Sequence, residues 1–364
     1  MLEKINSLFR PAIASMEGYA PGEWPALDSG VLKLNSNENP YPPSPKVLAA
    51  LSEISGELLR RYPNPRGQSF CQVVSDLFGI PADWVIAGNG SDDLLTLLVR
   101  ACADPNRRSL AYPMPTYVLY RTLAAMQPAD IVEVEYEQNG TDWVLPVEKL
   151  LATNAAVTLI ATPNSPTGHR VSRLDLRQLA EGLSGVLVID EAYVDFAGVD
   201  ADKASLELVR AFDNVIVLRT LSKGYGLAGL RLGFGIAQPG LLTGLLKVKD
   251  SYNVDAIALK LGEAAIADQP YKNACVKKII AAREQLSTDL QGLGFKVWPS
   301  QTNFLLVQPP QENKETAKSL YQGLRAVGIM IRYFAQPGLD KKLRITVGTS
   351  AQNTRMVTEI AKLL

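Results

Sequence analysis

The sequence predicts an α/β protein with a large domain, in which helices cover both faces of a mostly parallel sheet, and a smaller α+β domain. Short aliphatic runs alternate with stretches of helical length up to about residue 268, and the pattern changes beyond that point. The 364 residues, of which 47% are hydrophobic, suffice for two cores. We expect residues 36–268 to form the large domain, and residues 269–364 to form the small one together with an N-terminal segment, residues 1–35.

The individual elements are predicted from hydrophobic periodicity and from turn residues. Helices are expected at 47–60, 92–103, 173–183 and 271–292. Strands are expected at 84–87, 109–111, 131–135, 157–161, 186–189 and 215–218, with a later strand pair at 304–307 and 343–347. In a sheet of this kind, binding sites lie at the carboxyl ends of the strands.

The composition argues against several classes of protein. Thirty-seven basic residues balance thirty-seven acidic ones, so we expect no nucleic-acid partner. The sequence shows neither a signal-peptide pattern nor a run apolar enough to cross a membrane, and its three distant cysteines indicate reduced thiols, so a cytoplasmic protein is expected. Because His169 is the only histidine, we expect no metal site and proton transfer by another group.

The most informative segment runs from Thr220 to Arg231 and places Lys223 after an apolar strand, among glycines. Desolvation disfavours the charged form of a lysine, which makes the amine a better nucleophile toward an aldehyde and a usable base. Ser222 and Arg231 could hold a phosphate beside it. Taken alone, a lysine after a serine is more often a solvated loop residue. The interpretation of Lys223 as a reactive lysine therefore depends on the neighbouring motifs.

The same segment contains Gly224-Tyr-Gly-Leu-Ala-Gly229, which fits the G-x-G-x-x-G pattern of dinucleotide-binding folds. That pattern requires a helix after the glycines, whereas residues 230–236 alternate like a strand. A nicotinamide-dependent dehydrogenase is therefore only a remote alternative.

Two further motifs lie at the ends of predicted strands. Asp190 ends a buried strand with Tyr193 close behind, and its carboxylate could pair with a pyridine nitrogen, ligate a metal or cap a helix. The backbone amides of Gly90, Ser91 and Asp92 open a helix and could bind an anion, although plain capping is the commoner role of such a turn.

Two loops complete the pattern. Tyr117 offers an aromatic face to a planar ring, although a lone tyrosine more often belongs to the core. The loop Thr162-Pro-Asn-Ser-Pro-Thr-Gly168 can present an amide or a hydroxyl to a cofactor, and we interpret the adjacent His169 as a loop residue rather than a catalytic one.

Together these segments resemble the fold-type I pyridoxal-phosphate aminotransferases, from about Tyr19 to the C-terminus. Within that class the chain is similar to the histidinol-phosphate aminotransferase family. The residues that carry this similarity are Asn35-Ser-Asn-Glu-Asn-Pro40, Arg61-Tyr-Pro-Asn-Pro65, the Lys223 segment, and residues 331–339 followed by Leu343-Arg-Ile-Thr-Val-Gly-Thr349. The resemblance implies an aspartate-aminotransferase-like fold and pyridoxal phosphate as cofactor.

The resemblance also implies a role for each site residue. It implies that Lys223 forms an imine with the cofactor, that Asp190 pairs with the pyridine nitrogen, that Tyr193 reaches the ring hydroxyl and that Tyr117 stacks on the ring. It implies a phosphate site made by Gly90, Ser91, Asp92, Ser222 and Arg231, and by Tyr62 of a second subunit, hence a homodimer. It implies substrate contacts by Tyr19, Asn37, Arg332 and Arg344.

One position departs from the family pattern. Many relatives have Asn-Asn-Pro-Thr-Gly where this chain has Asn164-Ser165-Pro-Thr-Gly168. We expect Asn164 to contact the ring hydroxyl, with Ser165 as the alternative.

The implied reaction is a ping-pong transamination between glutamate and imidazole-acetol phosphate, which gives 2-oxoglutarate and histidinol phosphate in histidine biosynthesis, with Lys223 as proton carrier. An aromatic amino acid aminotransferase or a threonine-phosphate decarboxylase shares the same constellation of residues. A catalytically silent binding protein on the same fold is the alternative outside enzymes.

Overall fold

The computed structural model of the chain describes residues 8–16, 25–26, 29–104, 108–127, 130–198, 201–310 and 316–364. Tyr19, one of the residues predicted to bind the substrate, lies outside the described residues.

Strands and helices alternate along most of the described chain, as the sequence predicts. The strands are β1 (Leu32–Lys33), β2 (Val85–Gly88), β3 (Arg108–Met114), β4 (Asp130–Glu135), β5 (Glu137–Asn139), β6 (Asp142–Val144), β7 (Val157–Ala161), β8 (Val186–Asp190), β9 (Val215–Thr220), β10 (Gly233–Ala237), β11 (Lys296–Val297), β12 (Phe304–Gln308), β13 (Ile329–Met330), β14 (Arg332–Tyr333) and β15 (Leu343–Thr346). The helices are α1 (Pro11–Ser15), α2 (Pro45–Ser52), α3 (Gly56–Leu59), α4 (Gln68–Phe78), α5 (Ser91–Cys102), α6 (Leu119–Met126), α7 (Val147–Leu151), α8 (Arg173–Gly182), α9 (Ala201–Ala211), α10 (Pro239–Leu246), α11 (Ala256–Ile266), α12 (Gln269–Gly292), α13 (Ala317–Ala326) and α14 (Ser350–Leu363).

The central sheet has seven strands in the order β2-β10-β9-β8-β7-β3-β4. Strand β10 runs antiparallel to both of its neighbours, and the other adjacent strands are parallel. Apolar side chains from the two faces of this sheet belong to separate clusters, represented by Ile189 on one side and Val188 on the other. Burial on both faces explains why these strands are continuous aliphatic runs. The predicted mostly parallel sheet with helical cover is confirmed.

A second sheet, in the order β11-β12-β15-β14, is antiparallel and packs with α12, α13 and α14. The N-terminal strand β1 pairs in parallel with β13, and Leu32 and Leu34 belong to the same apolar cluster as this second sheet. The long helix and the strand pair expected after residue 268 are therefore present. The domain boundaries at residues 35 and 268 stay a prediction.

One predicted element is wrong. The helix expected over 47–60 consists of two helices, α2 and α3, with an interruption at Glu53 to Ser55. Ser55 has an extended backbone, and its side chain accepts a hydrogen bond from the amide of Leu58 at 3.2 Å. A serine that caps a new helix start satisfies an amide that a continuous helix would bond elsewhere, so the chain restarts there.

The glycine-rich segment after Lys223 leads into strand β10 through a short 3-10 turn, Ala228–Leu230. The helix that a dinucleotide-binding loop requires does not follow these glycines. Among the described helices, none is long and apolar enough to cross a membrane.

Gly233 lies where β10 meets the start of α5. A Cβ at this position would lie 2.6 Å from the backbone nitrogen of Ser91 and 2.8 Å from the carbonyl oxygen of Arg219. Both neighbours are backbone atoms that cannot rotate away, so the close approach depends on glycine.

We therefore expect Gly233→Ala to lower the free energy of unfolding by about 1–3 kcal/mol, because an added methyl group must displace backbone. Gly244→Ala is the matched control, since its Cβ would have no heavy atom within 4 Å and it lies inside α10. Thermal unfolding of both variants measures the difference. Equal midpoints for the two variants would refute the close contact.

Candidate active site

A cavity of about 510 Å³ lies at the carboxyl ends of β7, β8 and β9, a position at which parallel sheets commonly bind ligands. Many of the predicted site residues line it: Asn37, Ser91, Asp92, Tyr117, Asp190, Tyr193, Ser222, Lys223, Arg231, Arg332 and Arg344. Gly90, Asn164 and Tyr62 are not among its lining residues.

Lys223 lies just beyond the end of β9 and is half-buried. Its Nζ donates a hydrogen bond to the carbonyl oxygen of Ser36 at 3.2 Å and lies 5.6 Å from the centre of the Tyr193 ring. The Nδ2 atom of Asn39 donates to the carbonyl oxygens of Lys223 and Gly224, at 3.0 and 3.1 Å. The backbone of the lysine is thus fixed, and its amine is exposed to the cavity rather than to bulk solvent.

Asp190 is the last residue of β8 and is 4% exposed. Its Oδ2 accepts a hydrogen bond from the hydroxyl of Tyr120 at 2.8 Å, and its Oδ1 accepts one from the amide of Ala192 at 3.2 Å. Burial raises the pKa of Asp190 from 3.8 to about 6, although these two hydrogen bonds oppose the rise. A cationic N–H group on the cavity side would lower this pKa again.

The metal alternative for Asp190 lacks partners. Among the residues that the structure describes, no three His, Cys, Asp or Glu side chains converge as metal ligands would.

The start of α5 and the guanidinium of Arg231 make a candidate anion site at the cavity wall. Gly90 precedes the helix with a φ of 79°, and a Cβ there would lie 2.7 Å from Nη2 of Arg231. Arg231 Nη2 is 3.0 Å from Oδ2 of Asp92, and its Nη1 is 3.5 Å from the hydroxyl of Ser222. Because helix N-terminal amides and a guanidinium converge, a phosphate is the natural ligand. Gly90 allows the arginine to approach, although it does not itself line the cavity.

Tyr117 lies beside this anion site. Its hydroxyl is 3.4 Å from Oδ1 of Asp92, and its ring meets that of Tyr120 edge to face at 5.8 Å. The tyrosine is therefore held between the anion site and the partner of Asp190, where a planar ligand joining the two would lie against it.

The loop after β7 orients Asn164 away from the cavity, contrary to the expected ring contact. The Asn164 side chain is fully buried: its Oδ1 accepts from Thr116 at 2.7 Å, and its Nδ2 donates to Thr167 at 2.7 Å and to the carbonyl of Pro115 at 2.9 Å. Ser165 lines the cavity instead. The amide of Asn164 is used to brace the loop, so the geometry favours the alternative, Ser165.

Arg332 and Arg344 lie opposite each other on the neighbouring strands β14 and β15, and both line the cavity. Arg344 donates to the Ser165 hydroxyl at 2.9 Å and to the carbonyl of Asn35 at 3.0 Å. Two like charges directly across a strand pair destabilise a sheet. An anion bound between them would remove this cost.

Two further residues that were predicted to contact a ligand, Tyr62 and Asn37, have protein side chains as neighbours. Tyr62 is 81% exposed and stacks on Tyr252, with ring centroids 4.5 Å apart. Asn37 lines the cavity, but its Nδ2 donates to the Tyr193 hydroxyl at 2.8 Å and its Oδ1 accepts from Thr346 at 3.1 Å. Its φ of 57° belongs to the left-handed region, which asparagine tolerates better than most residues.

His169 is half-buried outside the cavity lining, between Tyr136 and Trp143. Burial lowers its pKa to about 4, so the ring is neutral at physiological pH. Its Nδ1 shares a hydrogen bond of 2.7 Å with Thr167, next to the brace made by Asn164. The histidine is therefore a structural residue of the loop, as the sequence indicates.

Sequence reasoning missed two residues that position the site. Tyr120, which bonds Asp190, lies three residues after Tyr117, and the helical spacing could have identified it. Asn39, which fixes the backbone at Lys223, gives no local signal of that role, because its partners lie 184 and 185 residues away in the chain.

The chain resembles known proteins along nearly its whole length. The model of the family "Aminotransferase class I and II" matches residues 29–360. A curated relative from Nostoc sp., histidinol-phosphate aminotransferase 1, is 58% identical over 99% of both chains. A histidinol-phosphate aminotransferase from Citrifermentans bemidjiense is 41% identical over 97% of this chain and 98% of the relative.

Solved structures agree with these relatives. The crystal structure of histidinol-phosphate aminotransferase from Sinorhizobium meliloti, in complex with pyridoxal-5'-phosphate, has a TM-score of 0.86 at 26% identity and covers 98% of this chain and 99% of its own. An L-threonine-O-3-phosphate decarboxylase from Porphyromonas gingivalis, at 20% identity and a TM-score of 0.77, covers 92% of this chain and 99% of its own and shares the fold.

The chain therefore belongs to the class I and II aminotransferases and, within them, to the histidinol-phosphate aminotransferase family. It is an enzyme of the transaminase class, and the resemblance deduced from its motifs is confirmed.

We expect Asp190→Asn to raise the free energy of unfolding of the cofactor-free protein at pH 8 by about 1–3 kcal/mol. A pKa raised from 3.8 to about 6 corresponds to a cost of about 3 kcal/mol for ionising Asp190 in the folded state. Because the raised pKa makes the folded state bind the proton more tightly, the wild type regains this stability as the pH falls from about 6 to below 4. The advantage of the variant should shrink over that range.

Unfolding of the cofactor-free proteins at several pH values measures this difference. Asp142→Asn, at an exposed position on β6, is the control. A variant at Asp190 that is less stable than the wild type at pH 8 would show that the carboxylate is not an electrostatic burden on the fold.

Proposed function

We propose that this chain is a pyridoxal-phosphate-dependent histidinol-phosphate aminotransferase. It transfers an amino group between glutamate and imidazole-acetol phosphate, giving 2-oxoglutarate and histidinol phosphate in histidine biosynthesis. The observation that carries the proposal is the placement of a lysine amine, a buried carboxylate and an anion site around one cavity, with two arginines on its opposite wall. The relatives named above carry the same activity in their names.

The residues at the cavity fit pyridoxal phosphate. The start of α5, with Ser222 and Arg231, suits its phosphate, and Gly90 beside the guanidinium has a φ of 79°, in the region that favours glycine. The raised pKa of Asp190 is relieved by a protonated pyridine nitrogen. When bound, pyridoxal phosphate withdraws electrons from the substrate carbon that carries the amine, so that the proton on this carbon becomes removable.

The chain's own groups supply the remaining chemistry. Lys223 would hold the cofactor through its amine, and its Nζ would carry the proton that leaves the substrate carbon. Asp190 would hold the pyridine nitrogen in its protonated form. Tyr193 and Ser165 would hold the ring hydroxyl, and Tyr117 would lie against the ring. Asn164 supports this contact indirectly because it fixes the loop that presents Ser165.

The two arginines define the substrate class. Arg332 and Arg344 lie opposite each other on adjacent strands, which suits a phosphate with several oxygens or the carboxylate of glutamate. Tyr19 is proposed to contact the same anionic group, and Asn37 to shape the pocket around it through Tyr193 and Thr346. An aromatic amino acid aminotransferase is the second candidate, since a phenyl side chain would fill the same pocket.

A homodimer belongs to this proposal. Tyr62 is exposed to solvent on the single chain, and apolar neighbours in sequence such as Leu58 and Leu59 are exposed as well. A cluster of large exposed apolar side chains is typical of an interface between subunits. We propose that Tyr62 reaches the cofactor phosphate of the second subunit, that the protein is cytoplasmic, and that the domains divide near residues 35 and 268.

The proposed activity predicts a substrate preference. The wild-type enzyme should give a higher kcat/KM with histidinol phosphate than with phenylalanine, tyrosine or threonine phosphate, because only histidinol phosphate offers both a phosphate and an imidazole ring.

Lys223→Ala should lower turnover by at least about a hundredfold and abolish the visible absorbance of covalently bound cofactor. Lys260→Ala, on the surface of α11, is the control for the lysine. A clear preference for another amine would refute the substrate, and activity retained without Lys223 would refute the mechanism.

The shared site predicts complementation between inactive variants. Tyr62→Ala and Lys223→Ala homodimers should each be impaired, whereas a hybrid dimer contains one site with both residues intact. Unfolding, mixing and refolding the two variants together should therefore restore transaminase activity above either variant alone. If the mixture stays as inactive as its components while hybrid dimers are detected by mass, Tyr62 does not serve the second subunit.

A further inference from the structure

A carboxylate without a role in the proposed mechanism lines the active-site cavity. Glu38 is 36% exposed and forms a salt bridge with Lys33, with Oε1 and Nζ 2.8 Å apart. Lys33 also donates to the hydroxyl of Ser36 at 2.9 Å, and the carbonyl of Ser36 accepts from Lys223 at 3.2 Å. The Glu38–Lys33 pair is therefore joined through one residue to the reacting end of the cavity.

We propose that Glu38 determines specificity by accepting a hydrogen bond from the imidazole ring of the substrate, while Lys33 holds the carboxylate in place. The inference rests on the proposed function and deepens it, because it assigns the group that distinguishes an imidazole ring from a phenyl ring of similar size.

The backbone on both sides of Glu38 is fixed. Asn37 bonds Tyr193 on one side, and its carbonyl accepts from Asn303 at 2.9 Å. On the other side, Asn39 bonds the carbonyls of Lys223 and Gly224. A side chain between two anchored neighbours is pre-organised, so less conformational freedom is lost when it binds a ligand.

The other carboxylates of the lining are already engaged. Asp190 accepts from Tyr120 and faces the site proposed for the pyridine nitrogen, and Asp92 pairs with Arg231 at the phosphate site. Among the described lining residues, Glu38 is the carboxylate that remains for the substrate. Lys33 pairs with Oε1 of Glu38, so the second carboxylate oxygen can accept a hydrogen bond from a ligand while the salt bridge holds the carboxylate in place.

The chemistry of the substrate matches this arrangement. Histidinol phosphate carries an amine, a phosphate and an imidazole ring, which correspond to Lys223, the arginine pair and Glu38. An imidazole ring has at least one N–H donor in both its neutral and its cationic form. The second carboxylate of glutamate would be repelled by Glu38 and attracted by Lys33. The Glu38–Lys33 pair can therefore offer an acceptor to the imidazole ring of histidinol phosphate and a cation to the carboxylate of glutamate.

The test uses two phosphate esters that lack the amine and therefore bind the cofactor-loaded enzyme without reacting. Imidazolylpropyl phosphate carries the ring of the natural substrate, and phenylpropyl phosphate carries a ring without an N–H donor. Calorimetry should show that the wild type prefers the imidazolyl ester, and that Glu38→Gln reduces this preference about tenfold, because a hydrogen bond to a charged acceptor is replaced by a weaker one. Glu137→Gln, which removes a carboxylate paired with Lys149 outside the cavity lining, should leave the preference unchanged.

The outcomes separate a specificity role from a structural one. If Glu38→Gln weakens both esters equally, or changes neither, the inference is wrong. Single-turnover measurements give a second criterion: the variant should react more slowly with histidinol phosphate, whereas its reaction with glutamate should not slow. A wild-type enzyme that does not turn over histidinol phosphate would instead refute the proposed function, and the role of Glu38 with it.

Discussion

The site depends on one electrostatic constraint, the burial of the Asp190 carboxylate at the end of the central strand β8. In the described part of the chain, two hydrogen bonds reach this charge, those of Tyr120 and Ala192, and they do not offset the loss of water. The fold thus retains an unfavourable charge in the position where a protonated ring nitrogen would be bound. Instability of the cofactor-free site and affinity for the cofactor would then be two consequences of the same buried group.

Parallel topology explains why much of this site could be predicted from the sequence. Each motif lies at or just after the end of a strand, and the carboxyl ends of parallel strands meet at one edge of the sheet. Asp190 at the end of β8 and Lys223 after β9 therefore had to lie near each other. The start of α5 joins them because β2, which precedes it, pairs with β10 next to β9. The residues could be recognised without knowing the strand order. The strand order is what places them next to one another in the fold.

Two differences between the expected and the observed structure have another origin. Asn164 and Ser165 are neighbours in the sequence, and their side chains diverge because Thr116 and Thr167 bond the asparagine inside the loop. Nothing in the local pattern shows which of two polar neighbours points inward. The interruption between α2 and α3 is similar, because an amphipathic pattern continues across Ser55 while its side chain starts a new helix. Both differences concern the direction of one side chain, which short-range periodicity does not specify.

The segment from Lys33 to Asn39 has the most distant partners in the site, and its role could not be deduced from spacing. It begins in β1, which pairs with β13 of the second sheet, and ends at the backbone of Lys223 on the first. The same short stretch therefore contacts the reactive lysine, the Arg344 side chain through the carbonyl of Asn35, and the cavity through Glu38. Because it touches both walls, a substrate that draws the arginines and the lysine together would also fix the position of Glu38. Selectivity for the ring and binding of the phosphate would then be coupled through this one segment rather than determined by separate pockets.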